Sequence, residues 1–168
     1  MKRLILFFLI PIIAVGCSIQ YQMIDGSIKA DTFLVDLFEE EAANAPAGYG
    51  ATYTDFLKDY MISRTKLNLK NEEADIEIYG KITYFNTSPV SVQSTNQNNE
   101  SAAINRLNIT IAVTVINNIE EEQSFEANFK QFSDYDADLD LSSVQDALLE
   151  DINEKLSQDI INRLTSNW

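Results

Sequence analysis

The chain contains no histidine, a single cysteine, five glycines, three prolines and only 12 basic residues against 26 acidic ones. Each scarcity closes off a chemistry. Without histidine, Ser-His-Asp and Cys-His catalysis and His-ligated zinc are excluded. One cysteine forms neither an intrachain disulfide nor a multi-thiolate metal cluster. The few glycines are scattered, so no Gly-rich phosphate-binding loop exists. A formal charge of −14 rules against nucleic acid, whose phosphates need a basic surface. What remains is 168 residues, 45% hydrophobic and 10% aromatic. That is enough apolar material for one folded domain and too much for an acidic disordered tail. The balance favours binding or scaffolding over catalysis, with no cofactor and no metal.

The N-terminus predicts the compartment. Lys2 and Arg3 precede an apolar run, Leu4 to Val15, broken only by Pro11. Twelve helical residues span about 18 Å, too little for a hydrocarbon core of about 30 Å. A short basic region before a short apolar one reads as a secretory signal peptide, residues 1–16. A buried helix would need a polar face, which this run lacks. Ala14-Val15-Gly16-Cys17 resembles a bacterial lipobox, so Cys17 is the predicted lipidation site and the membrane anchor. No acidic residue follows Cys17 until Asp25, and by resemblance to sorted lipoproteins this predicts the periplasmic leaflet of the outer membrane. Residues 17–30 would form the tether and 31–168 a single domain. Removing the leader takes two cations and no acids, leaving the exported part more acidic still.

Along that domain, Thr32–Phe38 reads as a short buried strand. Tyr53, Phe56, Leu57, Tyr60 and Met61 fall on one stripe of an amphipathic helix running to about Thr65, with Thr52 and Asp55 as a candidate capping box. Ile76, Ile78, Gly80, Ile82 and Tyr84 alternate with polar residues, as do Leu107, Ile109, Ile111, Val113 and Val115, then Phe125, Ala127 and Phe129. Phe132 breaks that last parity and predicts a bulge or a strand end. Gln93–Ser101 is polar throughout and reads as a loop. Ser142 or Ser143 can cap a final helix with a stripe from Val144 to Leu164. The order is β-α-β-β-β-α: an α+β two-layer sandwich, two helices packed on a four-stranded sheet with an antiparallel meander at its centre.

Charged clusters give weaker signals. Asp134, Asp136, Asp138 and Asp140 alternate like the first ligands of an EF-hand, but Leu139 and Gln145 stand where its glycine and glutamate belong, so a solvated connector is expected. Glu39–Glu41 and Glu120–Glu122 read as solvated turns rather than the fixed carboxylate pair of a glycan hydrolase.

Ala74–Thr83, Ser88–Gln93, Ala102–Ile111, Glu122–Phe125, Leu141–Asp146 and the terminal Ser166-Asn167-Trp168, in that order, resemble the lipopolysaccharide-assembly lipoprotein family (LptE-like) in its Bacteroidota form. The resemblance implies two helices on a four-stranded sheet and a protein that plugs the lumen of a large outer-membrane β-barrel, helps it fold, and serves lipopolysaccharide insertion into the outer leaflet. Lipopolysaccharide itself is the second partner it implies. Members that bind the glycolipid use basic side chains, which makes Arg106 and Lys81 the candidate contacts with lipopolysaccharide or barrel. A strand-edge charge is the plainer reading of Arg106, and the acidity of the chain counts against direct glycolipid binding. The rival readings are a generic periplasmic envelope lipoprotein with another protein partner and a carboxylate-based glycan hydrolase.

Overall fold

Every second residue from Leu107 to Val115 is buried, and this pleat is the centre of the molecule. The computed structural model describes residues 28–90 and 103–166. The leader, Cys17, the polar segment 93–101 and Asn167-Trp168 lie outside the described residues. The elements are β1 (Thr32–Val35), β2 (Glu39–Glu40), α1 (Tyr49–Arg64), β3 (Asn68–Leu69), β4 (Ile76–Val90), β5 (Ile104–Asn117), a 3-10 turn (Glu121–Gln123), β6 (Phe125–Asp136) and α2 (Leu141–Thr165). One sheet runs β3-β1-β4-β5-β6, with β2 also paired to β4. Strands β4, β5 and β6 form the expected antiparallel meander. Strands β1 and β2 lie parallel to β4. Both helices contribute to one core with the same face of the sheet. The α+β two-layer architecture is as predicted, with two two-residue strands added to the four principal ones.

Five local expectations change. Strand β1 stops at Val35, short of the expected Phe38, and Leu37 is exposed. Tyr84 does not share the buried side of β4. The register jumps between Ile82 and Tyr84, so Thr83 is an extra residue and the parity inverts. Tyr84 is 45% exposed and Phe85 is buried instead, its ring edge-on to Tyr49 at 5.7 Å. Strand β6, by contrast, neither bulges nor ends at Phe132, but alternates without a break to Asp136. Phe132 faces solvent because the inward positions beside it, Gln131 and Ser133, meet a polar flank of α2. Gln131 Nε2 donates to Asp159 Oδ2 at 2.6 Å, and Ser133 lies against Asp151.

Helix α1 begins before Thr52. Gly48 caps it in the left-handed region at φ 84°, where glycine carries no steric cost. Thr52 Oγ1 bonds back to Gly48 O at 3.1 Å, while the Gly50 N–H donates to Glu40 Oε1 at 2.8 Å. A carboxylate from another strand thus does the work assigned to the capping box, at the end of the helix where negative charge is favoured. The N-cap position of α2 falls on Asp140 rather than on Ser142 or Ser143, with no side-chain capping bond; Ser143 Oγ donates to Asp140 O at 2.7 Å.

The layers are joined by close contacts. A Cβ built on Gly80 would lie 2.1 Å from the Phe38 ring, so only glycine lets that ring settle on the sheet. Phe38 then meets Tyr53 edge-to-face at 4.9 Å. Between the helices, Tyr49 Oη donates to Asn153 Oδ1 and Tyr60 Oη to Gln158 Oε1, each at 2.7 Å. The buried hydroxyls of Tyr53 and Ser157 lack a well-formed hydrogen bond. Burial pushes the Tyr53 phenol well above its ordinary pKa, as it does for Tyr49.

Candidate functional site

The helices cover one side of the sheet, and the strand pleat presents the alternate residues of β4, β5 and β6 on the other. The register sets these in rows: Ser88, Arg106 and Asp134; Asn86, Asn108 and Phe132; Tyr84, Thr110 and Lys130; Lys81, Ala112 and Asn128. No described helix covers this face. It is dominated by amides, hydroxyls and charges, with two exposed rings, Tyr84 and Phe132.

Both sequence-predicted contact residues stand on it, each already engaged. Arg106 forms a bidentate pair with Asp134, Nε to Oδ1 at 2.7 Å and Nη2 to Oδ2 at 2.8 Å. Its guanidinium also lies 3.7 Å from the centroid of Phe132. This pairing holds the Asp134 carboxyl below its ordinary range. Lys81 sits between Glu39 at 3.0 Å and Glu41 at 2.7 Å, whose hydrogen bonds and charge push its pKa up to about 12. Lys81 is registered with Ala112, six residues along β5 from Arg106, so the two stand about 20 Å apart. The structure does not bring them into one site.

The glutamate run at 39–41 is therefore not the solvated turn expected: Glu40 caps α1 while Glu39 and Glu41 clasp Lys81. Sequence gave no sign of these partners, 40 residues apart along the chain for Glu41 and Lys81. The alternating aspartates do not converge. Asp134 faces Arg106, Asp136 ends β6, and Asp140 begins α2; among the described residues no group of acids is placed to hold a metal. In a cleft of about 300 Å³, Glu154 and Asp159 line the wall with Tyr60 and Lys155. Glu154 pairs with Arg64 at 3.5 Å and Asp159 accepts from Gln131. Among the described residues, no helix is long and apolar enough to cross a membrane.

The model of the LptE (lipopolysaccharide-assembly) family matches residues 30–164. The chain belongs to that family. Its match spans both helices and every strand, including the open face. No curated protein matches the chain by sequence. Among solved structures, the LptE-family fold seen here is similar to the hypothetical protein CT253 from Chlamydia trachomatis, at 11% identity and TM-score 0.50, covering 81% of this chain and 96% of that one. A lipoprotein B from Nitrosomonas europaea aligns at 12% identity and TM-score 0.48 over 89% and 90% of the two chains. A minor lipoprotein from Acinetobacter baumannii aligns at 13% and 0.46 over 82% and 94%. Family membership places this LptE-type chain in lipopolysaccharide assembly.

Proposed function

We propose that this protein is anchored through Cys17 to the periplasmic leaflet of the outer membrane and seats in the lumen of a large β-barrel that passes lipopolysaccharide outward. The observation that carries this reading is the open sheet face: broad and polar, with Arg106 and Lys81 paired to carboxylates, in a chain of the lipopolysaccharide-assembly family. A barrel lumen is polar, and a face of amides, hydroxyls and charges suits it better than an apolar one. The same ion pairs argue that the protein works by contacting the barrel rather than by gripping glycolipid phosphates. Arg106 and Lys81, the two cations offered for that task, already hold carboxylates within the chain. Arg106 would enter the contact together with Phe132 and Asp134 as one unit.

Affinity purification of the tagged full-length protein from its own membranes tests this. Recovery of a large outer-membrane barrel at comparable amounts supports the reading, and its absence from stringent and gentle preparations alike sinks it. The anchor has a separate test. Cys17→Ser should remain unprocessed and lose its acyl label; unchanged processing and labelling would refute lipidation at that residue.

A further inference from the structure

Strand β6 is the outer edge of the sheet, twelve residues long, without proline or bulge. Beyond its end, the Ala137 N–H donates to Ala103 O. Odd-numbered residues of β6 therefore turn their backbone groups toward β5, and even-numbered ones turn theirs away. Phe132 obeys this rule, since its carbonyl accepts Lys155 Nζ at 3.3 Å from outside the sheet. Among the described residues, the N–H groups of Asn128, Lys130, Phe132 and Asp134 donate to no acceptor. An edge this long and straight is a template for another strand.

We infer that the occupant is a second copy of β6, antiparallel, on a two-fold axis at Phe132. The sequence around that residue, Phe129-Lys130-Gln131-Phe132-Ser133-Asp134-Tyr135, is complementary to its own reverse. In this register Phe132 faces Phe132, Lys130 faces Asp134 twice, Gln131 faces Ser133 and Phe129 faces Tyr135. Opposite charges and aromatic pairs are the cross-strand combinations that favour pairing. Lys130 supplies an independent reason: among the described residues it is the one basic side chain with no recorded partner. The two-fold supplies that partner. Lys155, which now touches the Phe132 carbonyl, keeps Asp151 at 2.5 Å. Pairing stops where Glu126 would meet Asp138 at the ends. The union extends the open face across both copies without covering it; it needs no barrel, and a copy seated in a lumen would have to give it up.

Disulfide trapping in the full-length protein in detergent tests both contact and register. Hydrogen-bonded antiparallel partners have Cα atoms about 5.5 Å apart, a spacing a disulfide spans. Phe132→Cys should cross-link to itself on mild oxidation, while Asn128→Cys, whose partner is Asp136, should not; the double variant Asn128→Cys with Asp136→Cys should. Lys130→Glu, which sets like charges opposite each other, should weaken self-association of the uncross-linked protein about tenfold in sedimentation equilibrium. Because both copies are strongly acidic, association should tighten as salt rises from low to physiological strength. A wild-type protein that stays monomeric throughout the accessible range, cross-linking that is equal at 128 and 132, or an edge protected from amide exchange only by a different protein would each overturn the inference.

Discussion

The two faces of the central sheet come from the same three strands and share almost nothing. On the covered side, Leu107, Ile109, Ile111, Val113 and Val115 are at most 2% exposed and pack beneath α1 and α2. On the open side, one residue along, stand Arg106, Asn108, Thr110, Ala112 and Thr114, none of them fully buried. The covered face stabilises the fold through apolar area removed from water. The ion pairs of the open face, Arg106 with Asp134 and Lys81 with Glu39 and Glu41, are partly exposed and contribute little to stability. Its residues therefore contribute little to holding the fold, and a single step of the pleat separates those that do from those that do not.

Substitutions on the two sides should accordingly fail in different assays. The largest effect belongs to Ile109→Ala. It should lower unfolding stability by about 3 kcal/mol, the usual cost of a buried cavity, read as a fall in denaturant midpoint at constant slope. Next comes Gly80→Ala. The added methyl must displace the Phe38 ring and should cost about 1–3 kcal/mol, although alanine restricts the unfolded chain more than glycine does; a neutral or stabilising result would mean the ring can move at no cost. On the open side, Thr110→Arg should leave stability within about 0.5 kcal/mol, as surface changes do, yet reduce barrel recovery in the affinity purification. Equal losses of stability and recovery would erase the distinction between the faces.

The smallest effect is one of pH. Arg106 holds the Asp134 carboxyl below its ordinary value of 3.8. A depressed folded-state pKa contributes stability above the unfolded value, and that contribution is lost as pH falls through the folded one. Between pH 5 and acid, wild type should therefore lose slightly more stability than Arg106→Ala. Parallel thermal midpoints across that window would show that the pair contributes nothing measurable.

Legibility in the sequence follows the same division. Residues that bury a continuous stripe announce themselves. The run Leu148, Ile152, Leu156, Ile160, Ile161 and Leu164 reads as a helix, and the alternation in β5 reads as a strand, because hydrophobic burial imposes a period. The distal third of β4, Asn86 to Val90, has no such period, since it is held by backbone pairing with β5. Strands β2 and β3 are too short to have one. The cap that Glu40 places on α1, the clasp of Glu39 and Glu41 on Lys81, and the pair of Arg106 with Asp134 are contacts between residues brought close only by folding. Arg106 was visible as a candidate; the carboxylate and ring that fix it, 28 and 26 residues further on, were not. Phe132 misled because an apolar side chain on the open face looks, in sequence, like a fault in the strand.

The extra residue at Thr83 has a wider consequence. It works as a frame shift written into the backbone: upstream, even-numbered positions of β4 are read by the core, and downstream the odd-numbered Phe85 is. Deleting Thr83 would remove only the extra residue: Ile82 would stay opposite Ile111 and Tyr84 opposite Thr110, so Tyr84 would remain outside and Phe85 inside, in a strand that has lost its bend. A single-codon deletion here should thus be absorbed by straightening the strand, whereas a deletion of Thr110 in β5, which has no extra residue in its pairing with β6, would turn every residue beyond it to the opposite face.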